Sequence, residues 1–181
     1  MSRINQVDPA TAEGKAEQLL AVVKQKLGAA INITRVMANQ PAVLEGYLGL
    51  SGALAGGAFS AKNREAIALA VAGRTGCEYC ASAHTYISGS LKVDPAESAR
   101  NLQGQSADAR TQAILTLARA IVDTQGKVSD AQVQAARAAG LSDADIVETV
   151  GNVAVNLFTN FINNVAKTDI DFPVVKLPQA A

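Results

Sequence analysis

Along nearly the whole chain, apolar residues return at three- and four-residue steps, and nowhere do they alternate for long enough to make a half-buried strand. This periodicity restricts the 181 residues to an all-α fold. The length suits one domain, 1–181, able to bury its own core. Alanine is abundant and Trp absent, which favours helices packed closely through small side chains.

Punctuation between the periodic stretches predicts seven to eight helices. Asp8-Pro9 opens a helix carrying Leu19, Leu20, Val22, Val23 and Leu27, and Gly28 closes it. A short segment at Ile33–Ala38 precedes Pro41, the first turn of a helix running towards Gly56-Gly57. Ser60 caps a helix over 61–72, Gly73 to Gly76 breaks it, and the next spans 77–88 up to Gly89. Further helices are expected from Asp94-Pro95 to Gln103, over 107–124, over 129–139 and over 142–167, the last two starting at Ser129 and Ser142. From Thr168 the tail has two prolines and no periodicity.

Sixteen basic residues balance sixteen acidic ones, so no net field draws the chain to nucleic acid or to an anionic membrane. The apolar stretch Ile146–Val165 carries Glu148 and Asn152, Asn156, Asn160, Asn163 and Asn164, too much polarity for an ordinary membrane span. It reads as a buried or interfacial helix whose Asn stripe lines a cavity or a subunit contact, or faces solvent near the helix end. The N-terminus has no apolar core of a secretory signal, so a cytoplasmic location is expected.

Chemistry concentrates in Cys77-Glu78-Tyr79-Cys80-Ala81-Ser82-Ala83-His84, which holds both cysteines and the single histidine. Three residues apart, the cysteines form a redox pair, metal ligands or an incidental pair of small residues. On a helix, Cys77, Cys80 and His84 share a face. A cysteine at a helix start feels unpaired N–H groups that favour thiolate, and a histidine one turn along can exchange a proton with it. Glu65 enters through geometry: if the helices before and after the Gly73–Gly76 turn run antiparallel, rises of about 12 Å and about 10 Å bring Glu65 near the level of His84. There a carboxylate can orient the imidazole or take a proton through water. The ordinary fate of such a Glu is a surface ion pair. A soft-metal site from Cys77, Cys80, His84 and Glu65 has the right donors, but C-x-x-C-x-x-x-H on one short helix reaches poorly around a tetrahedron. A helical oligomeric scaffold that keeps the motif without turnover is a third reading.

At these residues the chain resembles the carboxymuconolactone decarboxylase superfamily, in its alkylhydroperoxidase D-like branch, which pairs a Glu with a C-x-x-C-x-x-x-H helix. The resemblance extends over INITRVMANQPAVLEGYLGL, SAKNREAIALAVAGRTGCEYCASAHT and LSDADIVETVGNVAVNLFTNFINNVAKTDIDFP. The family's Glu matches Glu65, its cysteines Cys77 and Cys80, its histidine His84. It implies an all-helical homo-oligomer that reduces peroxides without bound cofactor, taking electrons from a thiol or dithiol reductant. In that scheme Cys80 is peroxidatic, Cys77 resolving, and Glu65 and His84 relay protons. Where alkylhydroperoxidase D proteins can carry a second His between the cysteines, this chain has Tyr79. Decarboxylases of the superfamily do not rely on a cysteine pair, so the intact pair argues against lactone decarboxylation.

Overall fold

In the computed structural model, residues 1–177 are described, and they contain nine helices and no strand. In chain order these are α1 (Gly14–Leu27), α2 (Asn32–Met37), α3 (Pro41–Ala55), α4 (Ala61–Thr75), α5 (Glu78–Ser90), α6 (Pro95–Leu102), α7 (Ala109–Thr124), α8 (Asp130–Ala138) and α9 (Asp143–Ala166). The last four residues of the expected tail lie outside the described residues.

Capping decides most starts. Ser60, Asp94, Asp108, Ser129 and Ser142 each accept a backbone N–H one turn into the helix they open. Ser129 with Gln132 and Ser142 with Asp145 complete reciprocal capping boxes. Pro41 and Pro95 occupy first-turn positions, where a missing N–H costs nothing.

Three expectations need correction. Asp8-Pro9 makes a turn, and α1 begins only at Gly14, because the Asp8 side chain accepts from Ala10 N–H and closes a local loop. Gly89 lies inside α5 and does not end it. Gly73 is also helical, and α4 continues to Thr75, stopped by Gly76 in the left-handed region at φ 68°. The reason for glycine at 73 is packing: a Cβ there would sit 2.0 Å from the Leu102 carbonyl oxygen at the end of α6. The residue read as a breaker lets two helices touch.

α4 is central and packs against α5, α6, α7 and α9. Its residues Ala66 to Ala72 are all buried, the small Ala side chains admitting neighbours closely and Ile67, Leu69 and Val71 filling between them. One core cluster joins Leu20, Val23, Met37 and Leu44 to Ala72, Cys77, Tyr79 and Cys80. A second joins Ile67, Val71, Ile114, Leu115, Ile121 and Val153. Truncating a fully buried member such as Ile114 to Ala costs about 2–5 kcal/mol. Glu148 of α9 anchors the loop before α4, accepting at 2.9 Å from the N–H of both Ala58 and Phe59. No helix among the described residues is long and apolar enough to cross a membrane.

Candidate functional site

Gly76 turns the chain out of α4, and Cys77 is the N-cap of α5, its N–H returning to the Ala72 carbonyl at 3.1 Å. Its extended φ of −86° frees the sulfur to accept from Cys80 N–H at 3.2 Å, the contact a serine hydroxyl makes at an ordinary N-cap. Cys80 follows in the first turn of α5. With Cα atoms 5.3 Å apart, the two residues are joined by a disulfide. Both are buried, Cys77 with no exposed surface and Cys80 with 2%.

One turn further along α5 is His84, whose Nδ1 meets Glu65 Oε2 of α4 at 2.7 Å. This contact places the proton on Nδ1 and leaves Nε2 as the ring nitrogen available to a reactant. Both side chains are more than three-quarters buried, so their interaction is poorly screened. The short join between α4 and α5 gives Glu65 this partner, as the height argument anticipates.

Cys80, Glu65 and His84 all line one cavity of about 360 Å³; Cys77 does not. Most of the wall is apolar, from residues such as Leu27, Ile31, Leu54 and Ile87. Phe172, from the segment after α9, closes one side and meets Tyr79 edge-on with ring centroids 5.8 Å apart. A polar strip from α9 (Asn152, Asn156, Thr159 and Asn163) lines another part.

Tyr79, just before Cys80, also lines this cavity, and its hydroxyl accepts from Ile33 N–H at 3.3 Å. Burial, reinforced by the Asp171 carboxylate, pushes its ionisation far above the ordinary tyrosine range. Burial also raises Tyr47, another wall residue, partly offset by a hydrogen bond with Ser51 and helped by the Glu65 charge. Both phenols are neutral at ordinary pH, so neither supplies a base.

The Asn stripe of α9 points inward. Asn152, Asn156, Asn160 and Asn163 are buried, and Asn164 alone is exposed. Asn160 donates to Thr75 Oγ1 at 2.8 Å and Asn164 to the Thr75 carbonyl at 3.1 Å, clamping α9 to the end of α4. Asn163 Nδ2 donates to Cys80 Sγ at 3.4 Å across 83 residues of sequence. The stripe is visible in the sequence, but its target is not, because nothing local says that this face of α9 meets α5. Among the described residues no group of three or more His, Cys, Asp or Glu side chains is disposed to hold a metal ion.

Residues 41–99 match the carboxymuconolactone decarboxylase family. No protein of curated function matches the chain in sequence. Solved structures match its fold. An alkylhydroperoxidase AhpD core from Ralstonia eutropha JMP134, described as an uncharacterized peroxidase-related protein, superposes with a TM-score of 0.84 at 22% identity, covering 94% of this chain and 92% of that one. An uncharacterized peroxidase-related protein from Silicibacter sp. TM1040 gives 0.78 at 20% identity over 93% and 94%. The debrominase Bmp8, in complex with 2,3,4-tribromopyrrole, gives 0.78 at 19% identity over 93% and 91%.

Proposed function

We propose that the chain is a thiol-dependent peroxidase of the alkylhydroperoxidase D-like kind, a reading supported by the match of residues 41–99 to the carboxymuconolactone decarboxylase family and by the fold shared with the alkylhydroperoxidase AhpD core. The observation that carries this reading is the division of the cysteine pair. Cys80 shares a cavity with the Glu65–His84 pair, while Cys77 stands behind it within disulfide reach.

In the reduced protein the Cys80 thiol gives its proton to His84 Nε2, and the thiolate so formed attacks the terminal oxygen of a hydroperoxide. The O–O bond breaks, sulfur is oxidised to sulfenic acid, and the leaving alkoxide takes a proton from His84, leaving as alcohol. Glu65 holds the imidazolium through Nδ1. Cys77 then attacks the sulfenic sulfur, water leaves, and the disulfide forms; an external dithiol returns two electrons and two protons. No bound cofactor enters this cycle. Titration of free thiols in the reduced protein before and after one equivalent of cumene hydroperoxide tests it. Loss of two thiols per chain with release of one equivalent of alcohol is expected; two intact thiols refute it.

A second reading has one observation behind it, the same fold in a debrominase. The same dithiol balances a reductive dehalogenation: thiolate takes the halogen, the carbanion takes a proton, and Cys77 expels halide as the disulfide forms. Halide release from 2,3,4-tribromopyrrole under dithiol, with peroxide left untouched, would replace the first reading by this one.

A further inference from the structure

Asn163 makes a contact that neither the Glu65–His84 pair nor the helix start accounts for. His84 Nδ1 is committed to Glu65. The side chain that meets the Cys80 sulfur with a hydrogen bond belongs to α9: Asn163 Nδ2 at 3.4 Å. The sulfur of a disulfide can only accept, which fixes the amide with its nitrogen towards Cys80.

The arrangement has a cost. Asn163 is 4% exposed, and its Oδ1 is buried without a hydrogen-bond partner among the described residues. A residue kept for packing alone would avoid this orphaned carbonyl, since leucine has nearly the same shape and no polar atom to bury. The amide is also held firmly in place, because Asn160 and Asn164 on either side of it bind the end of α4. An N–H aimed at sulfur is a weak contact with a disulfide or a neutral thiol and a strong one with a thiolate.

Resting on the dithiol reading above, we propose that Asn163 is a positioning residue for Cys80, its amide N–H holding the anionic sulfur at the cavity wall in the reduced protein. Glu65 and His84 are thereby free for the oxygen that leaves. Work is divided between α9, which steadies the nucleophile, and the α4–α5 pair, which handles the proton.

The charged and titratable groups facing the same cavity are Arg64 and Glu65 of α4, Tyr79 and His84 of α5 and Tyr47 of α3; α2 and α9 contribute none. They remain in place in every variant below.

The test follows iodoacetamide alkylation of Cys80 against pH in a Cys77→Ser background, where the serine keeps the N-cap. Asn163→Leu should move the midpoint upward by about one pH unit, an alkylation rate about tenfold lower near neutrality. Asn163→Asp keeps the volume and places a carboxylate where the donor was, and should shift the midpoint in the same direction; it serves also if the leucine variant fails to fold. A midpoint unchanged from the parent in the folded variants overturns the proposal, whatever happens to thermal stability. The assay contains no peroxide. A shifted midpoint in a protein that reduces no peroxide would keep this role for Asn163 and remove the peroxidase reading, and an unshifted midpoint in an active peroxidase would do the reverse.

Discussion

Glu65 Oε2 lies 2.7 Å from His84 Nδ1, a contact between two consecutive helices that turns an imidazole into an oriented acid–base group. A carboxylate on Nδ1 selects the tautomer whose Nε2 is basic and stabilises the imidazolium when Nε2 takes a proton. A pair acting as one unit gives non-additive substitutions, and that is the expectation here. Glu65→Gln and His84→Gln are each expected to lower kcat/KM for hydroperoxide by about 10²-fold, with the double variant within about threefold of the worse single one. Steady-state kinetics on the three proteins checks this. Multiplicative losses would separate Glu65 from His84.

Cys80 and Cys77 differ in what they face, so their substitutions differ in kind. Cys80→Ser removes the sulfur on the cavity wall and is expected to abolish peroxide reduction. Cys77→Ser keeps that sulfur and is expected to allow one turnover, halting at sulfenic acid for want of a second thiol. Mass spectrometry after one equivalent of peroxide should find a gain of one oxygen on Cys77→Ser and none on Cys80→Ser. Sustained turnover by Cys77→Ser with a dithiol donor would show that the roles are wrongly assigned.

The helices and the cysteine motif were legible because both are local. Capping residues such as Ser60 and Ser142 act within one turn, and Cys77 to His84 are brought together by helical spacing alone. Glu65 was reachable because the join to α5 is short. What sequence spacing does not encode is which helix face meets which. Gly73 reads as a breaker until Leu102 of α6 is found against it, and Asn163 reads as one of a polar stripe until α9 is laid across α5. The cavity depends on seven segments at once, six of them helices and the seventh Phe172 from a stretch without periodicity.

Asp145 links pH to stability through α9. Its carboxylate accepts from Ser142 in the capping box and from Arg110 at 2.7 Å, and these hold its titration below the ordinary 3.8, the Ser142 hydrogen bonds contributing most. With a depressed value in the folded state, the stabilisation is complete above the unfolded value. It is lost as pH falls from about 4 towards the folded value, because the unfolded chain takes up the proton first. Asp145→Asn should cost about 1 kcal/mol at pH 7 and flatten the acid limb of the stability curve. Urea melts from pH 3 to pH 7 measure both; parallel curves for the two proteins would deny Asp145 this role.

The outer face of α9 predicts self-association. Val147, Val150, Ala154, Phe158, Phe161 and Val165 are exposed and recur at steps of three or four residues, the spacing of one face of a packed helix. The stripe runs along a helix of 24 residues, about 36 Å long. Leu50, on the neighbouring α3, is exposed as well. Left in water, such a row is a standing cost of about 25 cal/mol for each Å² of apolar surface, and the opposite face of the same helix is already spent on the core and the cavity. A second copy offers the matching seam, since a helix of this spacing packs on its own symmetry mate. Light scattering at micromolar concentration should give a multiple of the chain mass. Phe161→Glu, which places a charge in the stripe, should shift that mass towards the monomer without altering the helical circular dichroism. A monomer mass for the parent protein would leave the stripe without a partner and refute the prediction.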